Sequence, residues 1–415
     1  MENSSEAIIR KEFPPLSKNY PVFRFMGGNL ISFFGDQIYL IAIPLMVLAI
    51  TGSPFSMGMV AAIERLPVLL QPVTGILSDR LNRKMLLLIC DAGRGLIVGL
   101  IGILFMMDLL EMWQLYCAAL TIGVLSQIYN TSQFASVPNM VKRRDLHAVN
   151  SINTGMFNTA VLVAPGLGGV LISLYNPGYA LLINSLSFFV AFIAVLSIDI
   201  KKAIPENNEK RTFREDIKEG FDFVIQTKPI LFTNLAILIS VFGTTLFLTM
   251  MIFHLKDTIQ LSTTQIGWLL SIGGAGAVFG ALVTNLLRKQ FSYRMILFLS
   301  SFMGGASIVF FSLSETFVTL VMFNLVGTVA VSMMNPCIAT IRQTLTPDYL
   351  LGRVQATSRF MTWILLPLAA FLAGITAAQI GTDKTILIGG LISMSASFMY
   401  LHPTLKYKAG EGIFR

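Results

Sequence analysis

The stretch Gly75-Ile76-Leu77-Ser78-Asp79-Arg80-Leu81-Asn82-Arg83-Lys84 decides the fold, because it is a short charged turn between two long apolar runs. Residues 57–77 precede it and residues 85–107 follow it, and each run contains few strongly polar side chains. A hydrocarbon core takes about 20 apolar residues per helix. Each run therefore predicts a membrane-spanning helix, and the turn predicts the tight loop between them. Its basic side chains place this loop on the cytoplasmic face, since cytoplasmic loops are enriched in Lys and Arg.

The composition agrees with a polytopic membrane protein. Hydrophobic residues make up 54% of the chain and charged residues 13%, whereas soluble domains average about 25% charged residues. A net charge of +8 is also compatible with nucleic-acid binding. The cations cluster at the ends of apolar runs, however, so we interpret them as loop anchors and expect no nucleic-acid partner. The three cysteines lie in apolar runs without metal-binding or disulfide spacing, and we expect neither a metal nor a cofactor.

Hydropathy predicts an all-α fold of twelve membrane spans in two six-helix bundles. The predicted spans are 25–50, 56–77, 85–107, 113–136, 150–174, 178–198, 230–254, 265–287, 294–312, 316–338, 355–379 and 384–402. Lys and Arg concentrate in the termini and the even-to-odd loops, while the opposite loops hold Lys256 and Lys384. This asymmetry predicts that both termini are cytoplasmic.

The predicted organisation has five parts. They are a cytoplasmic N-terminus (1–24), an N-terminal bundle (25–198), an inter-bundle loop (199–229), a C-terminal bundle (230–402) and a cytoplasmic C-terminus (403–415). The inter-bundle loop is highly charged, and its second part places apolar residues at helical spacing, which predicts an amphipathic helix on the membrane surface.

An internal repeat supports the two bundles. A shift of 205 residues carries Gly75, Leu77, Arg83 and Lys84 onto Gly, Leu, Arg and Lys at positions 280, 282, 288 and 289. Repeats of this kind are typical of secondary transporters. The acid is lost in the second copy, because Thr284 stands where the first copy has Asp79. The two halves are therefore similar in pattern and different in charge.

The turn resembles the loop 2–3 signature of the major facilitator superfamily, Gly-x-Leu-Ala-Asp-Arg-x-Gly-Arg-Lys. Asn82 replaces the second Gly, a mild departure because Asn tolerates left-handed backbone better than most residues. In that family the loop Asp contacts the cytoplasmic start of span eleven and latches the outward-facing state. The resemblance thus implies a conformational latch of Gly75, Asp79, Arg80, Arg83, Lys84 and Arg359.

Ionisable residues inside spans are the functional candidates, because a charge at the bilayer centre costs at least about 2.5–3.5 kcal/mol. Asp36, Glu64, Asp91 and Arg94 all lie in the N-terminal half. We predict that they couple transport to protons, although each acid also has a structural interpretation. Asp91 and Arg94, in particular, have the i, i+3 spacing of a local ion pair.

Span five carries Ala164-Pro165-Gly166-Leu167-Gly168-Gly169. It resembles the Gly-Pro-x-x-Gly-Gly segment of superfamily antiporters, with Ala164 in place of the first Gly. The resemblance gives Pro165, Gly166, Gly168 and Gly169 a role in antiport, while packing of small residues is the alternative. The Arg that drug/proton antiporters often carry in span four is missing, since residues 113–134 contain none.

Further motifs resemble the macrolide-efflux and enterobactin-exporter branch of the drug/proton antiporters. They include Phe34-Gly35-Asp36, Thr51-Gly52-Ser53 and Gly352-Arg353-Val354. The resemblance implies proton-coupled export of a bulky amphipathic molecule by a protein of the bacterial cytoplasmic membrane, which we expect to be a monomer. Candidate cavity residues are Gln37, Tyr39, Arg65, Gln127, Tyr129, Asn130, Phe242, Phe247 and Trp363.

Other functions remain open at this point. A lipid or lysolipid flippase, or a metabolite importer, would keep the same fold, and a non-transporting membrane sensor is a further alternative. An enzyme is not expected, because the three histidines are dispersed and no nucleophile–base set stands out. No phosphate-binding Gly-x-x-x-x-Gly-Lys motif occurs, which argues against an ATP-driven pump in one chain.

Overall fold

The computed structural model describes residues 16–71, 74, 77, 81–142, 145–199, 213–288 and 290–405. These residues form helices and short connections, and none of them lies in a strand. The helices are α1 (Tyr20–Thr51), α2 (Pro54–Arg65), α3 (Arg83–Met106), α4 (Met112–Ser136), α5 (Leu146–Leu174), α6 (Pro177–Leu196), α7 (Phe213–Gln226), α8 (Lys228–Phe253), α9 (Thr263–Leu287), α10 (Tyr293–Ser312), α11 (Phe317–Leu345), α12 (Leu351–Trp363), α13 (Leu366–Ile380) and α14 (Thr382–Ala396).

The all-α fold predicted from hydropathy is confirmed. Within the described ranges, ten helical segments are long and apolar enough to cross a membrane. The two other predicted spans correspond to α4, which is long but more polar, and to the segment that begins with α2. The count of twelve spans is therefore consistent with the structure.

A proline lies at the interruption of two predicted spans. The helix expected over 56–77 ends as α2 at Arg65 and continues as a 3₁₀ helix, Leu66–Leu70, which contains Pro67. The helix expected over 355–379 starts earlier and divides into α12 and α13, with Pro367 in the first turn of α13. Proline lacks the backbone donor that a continuous helix needs, so it favours such breaks.

Polar side chains cap the first turns of helices that follow short loops. Ser262 and Gln265 form a capping box at the start of α9, with Ser262 Oγ accepting from the Gln265 amide at 3.2 Å and Gln265 Oε1 accepting from the Ser262 amide at 2.9 Å. Glu111 and Gln114 form the same arrangement before α4. These contacts satisfy backbone donors that would otherwise be unpaired at a helix start.

The helices pack in two groups. In the first half, α6 packs against α1 and α3, α1 also contacts α5, and α4 packs against α2 and α3. In the second half, α11 packs against α9 and α10, and α14 against α8 and α10. The two most extensive pairings between the groups are α5 with α9 and α2 with α13, and α8 also contacts α1 and α2. These two seams position the residues considered below.

Both seams bring glycines together near one end of the helices. A Cβ on Gly58 would lie 2.4 Å from the Gly374 Cα, and a Cβ on Gly169 would lie 2.9 Å from the Gly267 Cα. Only glycine permits such an approach of two backbones. All four glycines lie toward the helix ends that the charge pattern predicts to face outside. The halves are thus closely packed at that end.

Candidate transport site

A buried ion pair lies at the centre of the N-terminal group. Arg94 Nη2 is 2.7 Å from Asp91 Oδ1, and both residues, one turn apart on α3, are almost completely buried. The guanidinium also lies over two rings, 4.0 Å from the centroid of Tyr129 and 4.4 Å from that of Phe188. Stacking on aromatic faces adds to the stability of a desolvated cation. The predicted i, i+3 pairing of these two residues therefore exists in the structure.

The network extends to α1 through Tyr129. Its hydroxyl donates to Asn29 Oδ1 at 2.6 Å, and both side chains are buried. Arg94, Tyr129 and Asn29 thus connect α3, α4 and α1 by direct contacts. Tyr129 was predicted to line a cavity, and the structure places it inside this closed network.

Asp36 lies on α1 beside this network. Its half-buried carboxyl is within electrostatic range of Arg94 and Asp91. The preceding Gly35 packs directly on α6, where an added Cβ would lie 2.2 Å from Asn184 Oδ1. The close packing fixes the height and rotation of α1 at Asp36. A carboxyl in this position can gain or lose a proton while sensing the charge of the Asp91–Arg94 pair.

Glu64 lies at the end of α2 and extends the same group of charges. It interacts with Tyr39, which is one turn after Asp36, and it is within electrostatic range of Asp36 itself. Its neighbour Arg65 donates from Nη1 to the Ala61 carbonyl at 3.2 Å. The structure therefore brings all four predicted coupling residues, from α1, α2 and α3, into one electrostatic group.

A separate cavity of about 530 Å³ lies mainly in the C-terminal half. Its walls come from α5, α8, α9, α10 and α11, and they combine aromatic rings with hydroxyls and amides. The lining residues are Thr154, Phe157, Asn158, Val161, Thr244, Phe247, Leu248, Ala277, Ala281, Gly304, Ser307, Ile308, Phe311, Phe323, Asn324, Gly327, Thr328, Val331, Ser332, Asn335 and Pro336. Cavities of this size are typical of small-molecule sites.

The predicted cavity residues divide between this space and other surroundings. Phe247 lines the cavity, and its ring packs edge to face on Phe311 with centroids 5.0 Å apart. Trp363 instead lies under the guanidinium of Arg359, 4.4 Å from ring centroid to Cζ. Tyr39 is buried near Glu64, and Asn130 is exposed. The other predicted cavity residues are half-buried and do not line this cavity: Gln37, Arg65, Gln127 and Phe242.

The antiporter-like segment of α5 lies on the seam with α9. The Gly166 amide donates to Ser271 Oγ at 2.8 Å, and the Pro165 carbonyl oxygen would lie 2.5 Å from a Cβ on Gly267. Gly168 faces the other way, where an added Cβ would be 3.1 Å from Ile38 of α1. The segment thus contacts the opposite half and the helix that carries Asp36.

The structure describes only some of the residues of the predicted latch. Gly75, Asp79 and Arg80 lie outside the described residues. Arg83 Nη1 donates to the Ala135 carbonyl at 2.8 Å, and Lys84 Nζ donates to the carbonyls of Leu196 and Ile198 at 3.1 and 2.6 Å. Cations near helix C-termini bind carbonyls that the helix leaves unpaired. Arg83 and Lys84 therefore fasten the ends of α4 and α6.

Sequence reasoning missed the amides of the cavity. Asn158, Asn324 and Asn335 come from α5 and α11, and none was a candidate. The signal was present, because an amide in an apolar span is costly unless it has a partner or faces a cavity. Only the packing of the helices, however, shows which of the many polar residues in spans face the same space.

A second missed group is Arg342, Asn234 and Ser358. Arg342 Nη2 donates to Asn234 Oδ1 at 2.7 Å, and Asn234 Nδ2 donates to Ser358 Oγ at 3.0 Å. All three are buried. The sequence assigned Arg342 to the cytoplasmic loop after span ten, whereas α11 continues to Leu345 and holds this residue inside the bundle. The group ties α8, α11 and α12 together.

Comparison with known proteins agrees with the architecture. The family model described as transmembrane secretion effector matches residues 11–411. The multidrug efflux pump Tap of Mycolicibacterium fortuitum is 26% identical over 390 residues, covering 89% of this chain and 92% of Tap. The enterobactin exporter EntS of Escherichia coli is 23% identical over 393 residues, covering 91% of this chain and 92% of EntS.

A solved structure shows the same fold. A bacterial homologue of the iron transporter ferroportin, crystallised in an inward-facing state, superposes with a TM-score of 0.72 at 17% identity, covering 92% of this chain and 98% of the homologue. Since the family model extends over nearly the whole sequence, this multi-pass membrane protein belongs to the transmembrane secretion effector family of the major facilitator superfamily.

Proposed function

We propose that the protein is a proton-coupled exporter of a bulky, largely apolar small molecule, working by alternating access. The observation that carries the proposal is the separation of two features: a group of carboxyls inside the N-terminal half, and a cavity lined by helices of both halves. Relatives named as a multidrug efflux pump and an enterobactin exporter support efflux as the direction of transport.

The packing of the seams supports an inward-facing arrangement. From Leu162 and Gly274 toward the end predicted to be outside, α5 and α9 are in direct contact, and Thr264 donates to Ser173 near that end at 2.9 Å. Toward the opposite end, Thr154 of α5 and Ala281 of α9 both line the cavity. A cavity closed toward the outside and open toward the cytoplasm is the state in which an exporter loads its substrate.

Charge supplies the coupling step. A proton that reaches Asp36 or Glu64 from outside removes a negative charge beside the Asp91–Arg94 pair and changes the balance of attraction within the N-terminal group. A ligand shifts a two-state equilibrium only by its different affinity for the two states. In this scheme protonation favours one orientation of the halves and bound substrate favours the other, so the two are exchanged across the membrane.

The proposal includes the surroundings of the protein. The chain acts as a monomer in the bacterial cytoplasmic membrane. Its distribution of cations favours a cytoplasmic location for both termini. It uses protons and one small-molecule substrate, with no cofactor.

A growth-inhibition panel tests the function. Cells with and without the gene are exposed to macrolides, dyes and siderophores, and the panel is repeated with a protonophore. We expect protection against at least one apolar compound and loss of that protection when the proton gradient is dissipated. Accumulation of the compound by expressing cells would indicate import, and movement of labelled lysolipid between leaflets of proteoliposomes would indicate a flippase. Either result would contradict the proposal.

A further inference from the structure

The cavity differs in charge from the acidic group, the cluster formed by Asp36, Glu64, Asp91 and Arg94. Among the described residues that line the cavity, none is ionisable, and its polar groups are hydroxyls and amides. Asp36, Glu64, Asp91 and Arg94 are all absent from its walls. A charge buried without a partner of opposite sign loses much more solvation energy than it regains. The walls therefore disfavour any ligand that is charged when bound.

Aromatic side chains form part of the cavity wall. Phe247 and Phe311 pack edge to face with centroids 5.0 Å apart, and Phe323 stacks on Phe310 with centroids 5.3 Å apart. Phe247 and Phe311 are buried and so are held in place by their neighbours. Rings in such arrangements bind flat or aryl groups by area and by edge-to-face contact. This surface fits an aromatic or otherwise bulky apolar body.

Two amides from different halves of the protein are available to a polar group. Asn158 projects from α5 of the N-terminal half and Asn335 from α11 of the C-terminal half. Within the described part of the chain, neither side chain has a hydrogen-bond partner, whereas Asn324 donates to the Leu269 carbonyl at 3.0 Å and is committed to the α9–α11 contact. Unpaired amides donate to acceptors such as carbonyl, ether or oxide oxygen.

We propose that this cavity binds an uncharged molecule with a bulky apolar body and a hydrogen-bond acceptor, and that it excludes permanent cations. The apolar body lies against the lining rings of Phe157, Phe247 and Phe323. The acceptor binds the amides of Asn158 and Asn335. Because the two amides belong to different halves, the ligand bridges them. The proposal rests on the proposed function only in identifying this ligand with the transported molecule.

A matched pair of probes tests whether the cavity prefers an uncharged ligand to a cation. Triphenylphosphine oxide is neutral and carries one strong acceptor, and methyltriphenylphosphonium has the same three rings with a positive charge. Equilibrium binding to the purified full-length protein is measured for both, without a proton gradient. We expect the oxide to bind about 100-fold more tightly than the cation, the scale set by a charge buried without a partner.

Variants locate the binding to this cavity. Ala277→Phe fills the space from α9 and should weaken oxide binding at least about tenfold, as expected when a side chain occupies the volume of the ligand. Ala275→Phe is the control, because Ala275 is exposed on the other side of the same helix. Asn158→Asp is nearly isosteric and should reverse the preference toward the cation. Retention time in size-exclusion chromatography confirms that each variant is folded.

The outcomes are distinct from those of the growth panel. Equal binding of both probes, no binding of the oxide, or oxide binding that Ala277→Phe leaves unchanged would each overturn the proposal. Oxide-selective binding that is lost in Ala277→Phe supports it, even if the growth panel finds no protection. In that case the cavity prefers uncharged ligands as proposed, and the assignment as an exporter fails.

Discussion

Phe33 and Phe157 pack edge to face, with ring centroids 5.4 Å apart and an interplanar angle of 89°. Phe33 lies one turn before Asp36 on α1, and Phe157 on α5 lines the cavity. The helix that carries the candidate proton site therefore touches the wall of the candidate substrate site. Since the carboxyls themselves do not line the cavity, this contact is a route by which movement of α1 reaches the ligand.

Phe33→Ala should weaken the effect of pH on ligand binding. An edge-to-face pair contributes about 0.5–1.5 kcal/mol beyond area burial. Removing one ring should therefore reduce the change in affinity between pH 5.5 and 8 by about two- to twelvefold if that change passes through the contact. Binding of the neutral probe is measured at several pH values. Phe279→Ala, at a largely exposed position, is the control. An unchanged pH profile in Phe33→Ala would exclude this route.

Arg94→Ala should strongly destabilise the N-terminal group. It leaves the Asp91 carboxylate buried and without its partner, which typically costs about 3–5 kcal/mol, and it removes the stacking on Tyr129 and Phe188. The thermal unfolding midpoint in detergent should fall by many degrees. The double variant Asp91→Asn/Arg94→Met, which removes both charges, should recover part of the loss. A single variant as stable as the wild type would show that the pair contributes little.

Individual helices show how much of this fold the sequence alone predicts. Predicted spans 178–198 and 294–312 correspond to α6, Pro177–Leu196, and α10, Tyr293–Ser312. Hydropathy finds such helices because most residues of a span are apolar whatever their tertiary contacts. The interruptions at residues 66–70 and 364–365 were missed, since a proline inside an apolar run does not reveal whether neighbours tolerate a kink or require a break.

Gly58→Val should separate the halves at the end predicted to face outside. A Cβ at this position would lie 2.4 Å from the Gly374 Cα and 2.9 Å from the Ala370 carbonyl oxygen, so α2 and α13 must move apart. Spin labels at Thr51, three residues before the start of α2, and at Ile380, the last residue of α13, report the distance between the outer ends of the two halves in a background without the native cysteines. We expect the distribution to shift to longer distances.

A matched variant controls for a general effect of valine in a helix. Gly155→Val introduces the same side chain on α5, where an added Cβ meets nothing within 4 Å. Its distance distribution should match that of the parent protein. An unchanged distribution in Gly58→Val would mean that the glycine contact does not hold the outer ends together.

Val224→Asp should release α7 from α12. Val224 is completely buried in a cluster with Ile230, Leu350 and Val354, and burial of such a side chain contributes about 1.5–3 kcal/mol. Glu219 also pairs with Arg353 across the same contact, but a partly exposed ion pair adds at most about 1 kcal/mol. Amide hydrogen exchange across residues 213–226 should become faster. Gln226→Asp, at an exposed position two residues away, should leave the exchange rates unchanged.

The candidate site was less predictable than the fold. The in-span charges Asp36, Glu64, Asp91 and Arg94 were selected because ionisable residues are rare in spans, and the structure brings them into one electrostatic group. The cavity was not found in this way. Its location depends on which faces of α5, α9 and α11 meet, and residues such as Asn158 and Ala277 have nothing in their local sequence that identifies that face.

The central claim is that protons act at the acidic group while the substrate binds elsewhere. Asp36→Asn tests it most directly in proteoliposomes loaded with a transported compound, by measuring ΔpH-driven transport and substrate exchange without a gradient in the same preparation. We predict that ΔpH-driven transport falls at least about 100-fold, the loss expected when an essential proton carrier is removed, while exchange stays within about twofold of the wild type. ΔpH-driven transport at the wild-type rate in Asp36→Asn would contradict the claim.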